Sequence, residues 1–343
     1  MSHSEANTKF LLAGVGGRGM HWARQIAGHG SSTLAGLVEP DPKRRADAGE
    51  QLGQASSATF AGLDEALDAM SGEVDAVLDV TPPAMHRGVA EATFASGLAL
   101  LSEKPLADDW ASSKAIVQAG VAANRPHMVT QNYRFSAMAR TLRRLVGEGV
   151  VGTPGQCDVR FYQPWTDLPG THYVTDPYML INDMMVHHFD LARYILGVEP
   201  VAVTAHTWRP RWSWHAGDDA HAIVIEFEGG LTMTHTASGC AVGEQTDWNG
   251  DWRIEGDRGS VSWSGGRLRH VHAHRAEPRM DEVISLDDMP PGESAILDAF
   301  HEAVIAGVEP ECSAVDNLQT IRLAFAAIES AKRKRRVELA EFA

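Results

Sequence analysis

A lysine stands at the end of a short apolar segment, in Gly97-Leu98-Ala99-Leu100-Leu101-Ser102-Glu103-Lys104-Pro105. The residue before a proline is pushed toward extended geometry, so Lys104 is expected to project its amine off a strand end. An amine placed there can exchange a proton with a substrate; taken alone, the same tripeptide also suits a surface turn, and its surroundings must decide. Whether the Lys104–Pro105 bond is cis, as X-Pro bonds in tight turns sometimes are, is a question for the structure. A second constellation lies downstream, in Asp183-Met184-Met185-Val186-His187-His188-Phe189-Asp190. Asp183 and His187 share a helix face, with Asp190 a further turn along. A carboxylate beside an imidazole orients the ring and tunes its pKa near neutrality, which proton transfer with a hydroxyl requires. A partly buried helix with a local Asp-His pair would show the same spacing.

These residues need elements to position them. Phe10 to Ala13 reads as a buried strand, followed at once by Gly14-Val15-Gly16-Gly17-Arg18-Gly19 and a helix-compatible stretch from Met20 to Gly28. This is G-x-G-x-x-G in a strand-turn-helix setting: one glycine for the tight turn, one for close approach of a pyrophosphate, one for helix packing. A second strand, Thr33 to Val38, delivers Glu39, an acidic group suited to a ribose with free hydroxyls. It would repel a 2′-phosphate, so NAD is favoured, with NADP kept open by Arg44 and Arg45. Further strands, Val74 to Val80 and the segment ending at Glu103, bring Thr81-Pro82-Pro83, His86 and Lys104 to the same edge as Gly14 and Glu39, because ligands sit beyond the carboxyl ends of parallel strands.

After Gln131-Asn132-Tyr133-Arg134-Phe135 the alternation stops. A helix is expected over Met138 to Glu148, then strands over Gln156–Tyr162, Val201–Trp208, Ala220–Phe227, Leu231–Ala237, Trp252–Glu255, Ser260–Trp263 and Arg267–His274. Between the first two of these strands, a helix should start near Asp176-Pro177 and stop at Gly197. The fold class is therefore α/β: an N-terminal Rossmann dinucleotide-binding domain over residues 1–130, and a C-terminal α+β domain over 131–343 with a large, mainly antiparallel open sheet. That second domain is read as carrying substrate binding and oligomerisation.

A net charge of −15, from 45 acidic and 30 basic residues, opposes docking on nucleic acid or an anionic membrane. The basic run Lys332 to Arg336 reads as a solvated helix end. Cys157, Cys240 and Cys312 are too few and scattered for a disulfide framework or a C-x-x-C site. With a polar N-terminus and no apolar run of membrane-spanning length, a cytoplasmic location is expected.

The chain resembles the Gfo/Idh/MocA family of NAD(P)-dependent oxidoreductases, which includes inositol and sugar dehydrogenases, from about Lys9 to the C-terminal helix. The family's glycine-rich turn, Thr-Pro turn with following His, Glu-Lys-Pro segment and Asp-x-x-x-His helix occur here in that order, as Gly14–Gly19, Thr81–His86, Glu103–Pro105 and Asp183–His187. The resemblance implies hydride transfer between a carbinol carbon and nicotinamide C4, with Lys104 and His187 handling the hydroxyl proton and Asp183 orienting the substrate. Which of Lys104 and His187 is the base stays open. It implies a cofactor set of Gly14, Gly16, Gly17, Arg18, Gly19, Glu39, Thr81, Pro82, His86, Glu103, Lys104 and Asn132. The substrate set comprises Lys104, Tyr133, Arg134, Trp165, Asp183, His187 and His188. Where family members often carry glycines before the Asp-x-x-x-His helix, this chain has Met179-Leu180-Ile181-Asn182, which bears on the shape of the substrate pocket.

A sugar, glycoside or cyclic polyol is the expected substrate. Seven of the nine tryptophans lie between Trp165 and Trp263, and their flat faces suit either a pyranose or an oligomer interface. Arg209 and Arg211 suit either an acid group on the substrate or, more simply, the solvated surface. His270, His272 and His274 alternate along one strand, without Cys or carboxylate ligands at metal spacing, and read as a solvent-facing strand with no metal. Two alternatives remain: a glycosidase-type enzyme that recycles NAD through oxidation, elimination and re-reduction, and a non-enzymatic dinucleotide-binding sugar sensor. An open sheet face predicts a homodimer or homotetramer.

Overall fold

The computed structural model of the 343-residue chain describes residues 7–165, 174, 176–272, 281–288 and 292–342. Contacts divide the chain into two compact units, Met1–Asn132 with Pro290–Ile321, and Tyr133–Met289 with Arg322–Ala343.

The first unit is built on six strands: β1 (Thr8–Ala13), β2 (Ser32–Val38), β3 (Thr59–Phe60), β4 (Ala76–Asp79), β5 (Ala99–Ser102) and β6 (His127–Val129). All pairs are parallel, in the order β3-β2-β1-β4-β5-β6 of a doubly wound dinucleotide-binding sheet. Helices α1 (Gly17–Gly28), α2 (Pro42–Leu52), α3 (Leu63–Ala69), α4 (His86–Ala95) and α5 (Trp110–Ala123) alternate with the strands. Short apolar runs become strands here because a parallel sheet is covered on both faces; β4 and β5 are buried at every residue. Local chemistry starts the helices on time: Asp41 caps α2 by accepting from the Arg44 N–H at 2.7 Å, and Asp109 caps α5 from the Ser112 N–H at 2.8 Å.

The second unit holds helices α6 (Ala137–Gly147) and α7 (Val186–Leu196) and a nine-stranded sheet. Its strands are β7 (Pro154–Tyr162), β8 (Pro200–Trp208), β9 (Ala220–Phe227), β10 (Thr232–Ser238), β11 (Asp251–Gly256), β12 (Gly259–Ser264), β13 (Arg267–His272), β14 (Asp281–Ile284) and β15 (Val337–Glu338). The order is β14-β13-β12-β11-β7-β10-β9-β8-β15. Every pair is antiparallel except β7 with β10. Burial alternates along β9 and β10, so one face of the sheet packs and the other looks outward. The expected strands all form, with ends moved by a residue or two; His274 lies outside the described residues. Strands β14 and β15 were not foreseen, being too short to show an alternation.

Helices α8 (Gly292–Ala306) and α9 (Ala314–Arg333) lie between β14 and β15. Residues 290–321, which their place in the sequence grouped with the second domain, belong to the first unit. The reason is packing: Phe300 stacks on Phe10 with centroids 5.7 Å apart, His301 Nδ1 meets Thr8 Oγ1 at 2.8 Å, and Asp298 meets His29 Nε2 at 3.0 Å. The basic run that ends α9 is tied to acids rather than merely solvated. Arg333 and Arg335 pair with Glu341, and Arg336 with Glu226.

Two glycines test this packing. A Cβ on Gly256, at the register shift between β11 and β7, would lie 2.3 Å from the Val151 carbonyl oxygen. Gly256→Ala should destabilise the chain by about 1–3 kcal/mol through overpacking against backbone. A Cβ on Gly147, in the last turn of α6, would meet nothing within 4 Å. Gly147→Ala should raise stability by about 0.4–1 kcal/mol; thermal unfolding of both variants reads the two signs.

Candidate functional site

The first unit contributes the edge of β1, β2, β4 and β5. Gly14 sits at φ +90°, and a Cβ there would lie 2.8 Å from the Val80 carbonyl oxygen. A Cβ on Gly19 would come to 2.0 Å from the Gly14 carbonyl oxygen, so α1 packs on the turn only without one. Gly16 and Gly17 face open space. Gly16 is the N-cap of α1 and no side chain caps it, so N–H groups at the helix start are available to an anion. These features fit a dinucleotide pyrophosphate. Glu39, at the end of β2, is 4 % exposed and accepts from the Val15 N–H at 3.3 Å and the Asp41 N–H at 3.1 Å. Arg45 donates to the Glu39 and Pro40 carbonyls at 2.6 and 3.2 Å. Arg44 Nε lies 3.8 Å from Glu39 Oε1.

The lysine segment is tied to the glycine turn through Glu103. Its Oε1 accepts from Arg18 Nε at 2.6 Å and Trp22 Nε1 at 2.7 Å, and its Oε2 from the Lys104 N–H at 3.1 Å. Burial works against the Arg18 charge, but Glu103 and Glu293 outweigh it and hold the guanidinium above its ordinary range. The Lys104–Pro105 bond is cis, and Lys104 is half-buried. After β4, Asp79 Oδ1 accepts from both the Thr81 N–H (2.9 Å) and hydroxyl (2.6 Å), which sets the turn into Pro82. His86 is buried, and its ring nitrogens face carbonyls: Nε2 that of Thr81 at 2.9 Å, Nδ1 that of Pro105 at 3.0 Å. The ring therefore clamps the threonine turn to the loop after Lys104. Asn132 donates its N–H to the Thr130 carbonyl at 3.0 Å.

In the second unit, Asp183 lies in a π-helical turn, Leu180–Met185, that runs directly into α7. Such turns insert extra backbone into a helix and recur at functional sites. Asp183 is half-buried and His187 is 5 % exposed. Tyr133 stacks on His187 with centroids 4.3 Å apart and planes 12° off parallel. Burial, then Asp183 and Asp247, push the Tyr133 phenol up, so it stays a neutral donor. Asn182 donates to both Asp176 oxygens at 3.0 and 2.8 Å, which anchors the start of the turn.

Beneath this surface runs a chain of imidazoles. His188 Nε2 faces the Trp248 carbonyl at 3.1 Å, His188 Nδ1 faces His235 Nε2 at 2.9 Å, and His235 Nδ1 faces His221 Nε2 at 3.0 Å. A carbonyl only accepts, so His188 must carry its proton on Nε2, and then His235 and His221 must carry theirs on Nε2 as well. One carbonyl fixes three tautomers. Burial takes His188 down to about 4 despite the Trp248 carbonyl. Burial and then His188 take His221 to about 3, and burial with His221 and His188 holds His235 well below its usual value. All three rings are neutral at pH 7.

Residues 8–131 match the oxidoreductase family NAD-binding Rossmann fold, and residues 139–262 match the GFO/IDH/MocA C-terminal domain. The chain belongs to the Gfo/Idh/MocA oxidoreductase family. Among its relatives is a D-apiose dehydrogenase of Rhizobium rhizogenes, 26 % identical over 93 % of both chains. An inositol 2-dehydrogenase of Pseudarthrobacter chlorophenolicus is 31 % identical over 70 % of each. An Agrobacterium radiobacter oxidoreductase solved with NAD+, L-tartaric acid and magnesium superposes with a TM-score of 0.87 at 23 % identity, covering 98 % of this chain and all of that one. As a member of the family, the chain is an oxidoreductase with an NAD-binding Rossmann domain.

Two residues expected at the substrate have other partners in this family member. Arg134 is buried and bidentate on Asp190, at 2.5 and 2.7 Å, because a buried carboxylate needs a cation beside it. His188 is fully buried as the head of the imidazole chain. Trp165 lies edge-to-face with Trp248 at 6.2 Å, and its carbonyl accepts from Trp214 Nε1. Missed in the sequence were Trp248, His221 and His235; for the two histidines the one signal is a histidine where the strand alternation calls for an apolar residue. His270 is likewise buried, with Glu282 opposite it, which corrects its reading as solvent-facing.

The imidazole chain makes stability depend on pH. Below the unfolded value of 6.5 and down to about 4, the folded rings bind fewer protons than unfolded ones. Stability should be full above pH of about 6.5 and fall on acidification, with a slope approaching about 1.4 kcal/mol per pH unit per ring. His221→Gln, which keeps a donor toward His235, should flatten that slope in urea unfolding; identical slopes would refute the assignment.

Proposed function

We propose that the chain is an NAD-dependent dehydrogenase of a sugar, glycoside or cyclic polyol, oxidising a carbinol or reducing the matching carbonyl. The observation that carries this reading is the Glu103 network, which fixes the backbone of Lys104 to the first turn of α1. Among the relatives, a D-apiose dehydrogenase and an inositol 2-dehydrogenase support this substrate class. NAD supplies the hydride acceptor at its nicotinamide ring.

In this reading Gly14, Gly16, Gly17 and Gly19 receive the pyrophosphate at the start of α1, and Glu39 receives ribose hydroxyls. Thr81 and Pro82, held by His86 and Asp79, line the same edge with Asn132. Lys104 and His187 handle the substrate hydroxyl proton, Asp183 orients that hydroxyl, and Tyr133 supports His187 by stacking. Glu39, with Arg45 occupied by backbone carbonyls, supports NAD rather than NADP.

Turnover of sugars, glycosides and inositols, followed by NADH absorbance, tests the reaction. Lys104→Ala should lower kcat on an accepted substrate by about 10²–10⁴-fold, the contribution of a placed proton-transfer group. Full activity in that variant would remove Lys104 from the mechanism. The outward face of the sheet, with Trp208 and Val224 each 40 % exposed, supports association into a homodimer or homotetramer. Sedimentation should show no monomer at micromolar concentration.

A further inference from the structure

Strands β13 and β14 form one end of the nine-stranded sheet. His270 stands opposite Glu282 in their antiparallel register, and His272 lies two residues along β13, so the three side chains project on one face. The two rings have centroids 4.0 Å apart. One ligand atom from each of His270, His272 and Glu282 lies within 4.8 Å of the other two.

His270 shows what the cluster lacks. The residue is 3 % exposed, its ring has the Val150 carbonyl as a hydrogen-bond partner, and its Nε2 is buried with none among the described residues. A carbonyl must receive a proton, so the ring carries its hydrogen on Nδ1 and Nε2 is a bare lone pair. Leaving such an acceptor buried and unsatisfied costs about 1–3 kcal/mol. The groups around it, an imidazole and a carboxylate, offer further lone pairs. Convergent acceptors with one ring locked by a carbonyl on its far nitrogen are the arrangement that second-shell hydrogen bonds give to metal-ligating histidines.

We propose that His270, His272 and Glu282 bind a divalent transition-metal ion of the zinc type. Two imidazoles and one carboxylate suit that ion, whereas magnesium and calcium prefer oxygen throughout. Ligands of a tetrahedral zinc ion sit about 3.3 Å apart, given bonds of about 2.0–2.1 Å. The three ligand atoms already lie within 4.8 Å of one another, and rotation of the exposed Glu282 and half-buried His272 can bring them to that spacing. Their exposure leaves room for water at a fourth position. The ion would fasten β14, four residues long and at the end of the sheet beside β13, to the rest of the sheet. It takes no part in hydride transfer.

The test uses the full untagged chain, stripped by a chelator and titrated with Zn2+, and with Co2+ as a coloured reporter. One equivalent should bind, Co2+ should show the strong visible bands of a low-coordinate nitrogen-oxygen site, and melting temperature should rise with Zn2+ concentration. His272→Ala and Glu282→Ala, at positions not fully buried, should fold normally by circular dichroism. They should weaken binding by at least the ~10–100-fold that loss of an outer-shell partner costs. Wild-type chain that takes up no saturable equivalent, or variants that bind as tightly as wild type, would overturn the proposal.

Discussion

Glu103 carries a carboxylate almost out of water, and the first unit's candidate chemistry depends on how that charge is held. A buried carboxylate is tolerable only with a cation and hydrogen bonds around it. Arg18 supplies the cation from the first turn of α1, Trp22 a second donor one turn on, and the Lys104 backbone a third. The arginine can stand there because Gly19 lets α1 approach the turn so closely. Glycine turn and lysine are thus two ends of a single electrostatic unit, and α8 joins it by placing Glu293 against Arg18.

The second unit buries polarity in two ways side by side. Arg134 and Asp190 form a charged, bidentate pair, whose members neutralise each other at short range. One residue from Tyr133 and His187, respectively, Arg134 and His188 thus serve the interior while their neighbours stack near Asp183. The histidine chain instead avoids charge altogether: burial keeps each ring neutral, and each N–H answers the next lone pair. A charged pair tolerates a small rotation of either partner, but a chain of neutral tautomers requires every proton to be in place.

Much of this was legible in the sequence where a residue type has one physical use. Gly14 and Gly19 could be read because each position forbids a Cβ, and Lys104 because the following proline sets its backbone. The helix of Asp183 and His187 was legible from spacing and from its stop at Gly197. Its π-turn was not, since Met179 to Met185 would serve an ordinary core helix equally well. The partners of Arg134 and His188, Asp190 and the imidazole chain, were not legible because sequence adjacency to Tyr133 and His187 says nothing of which way a side chain packs. His270 was misread for a related reason: alternation shows that two faces exist, and only the partner strand shows which is inside. The place of α8 rests on Phe10 and Phe300, a contact between opposite ends of the chain that no local pattern carries.

The lone parallel pair in the large sheet has a consequence for how the chain assembles. Strands β8, β9 and β10 form one local meander and β11 to β14 another, each closed by neighbours in sequence. Strand β7 precedes both and lies between them, bonded to β10 on one side and β11 on the other. Among the described residues, the strand order joins the two meanders only by way of this strand. Joining them requires closing a long loop around a crossover, and loop entropy must be met before the contacts form. The two hairpin arrays can therefore order early and independently, and the seam at β7 sets the pace at which they become one sheet.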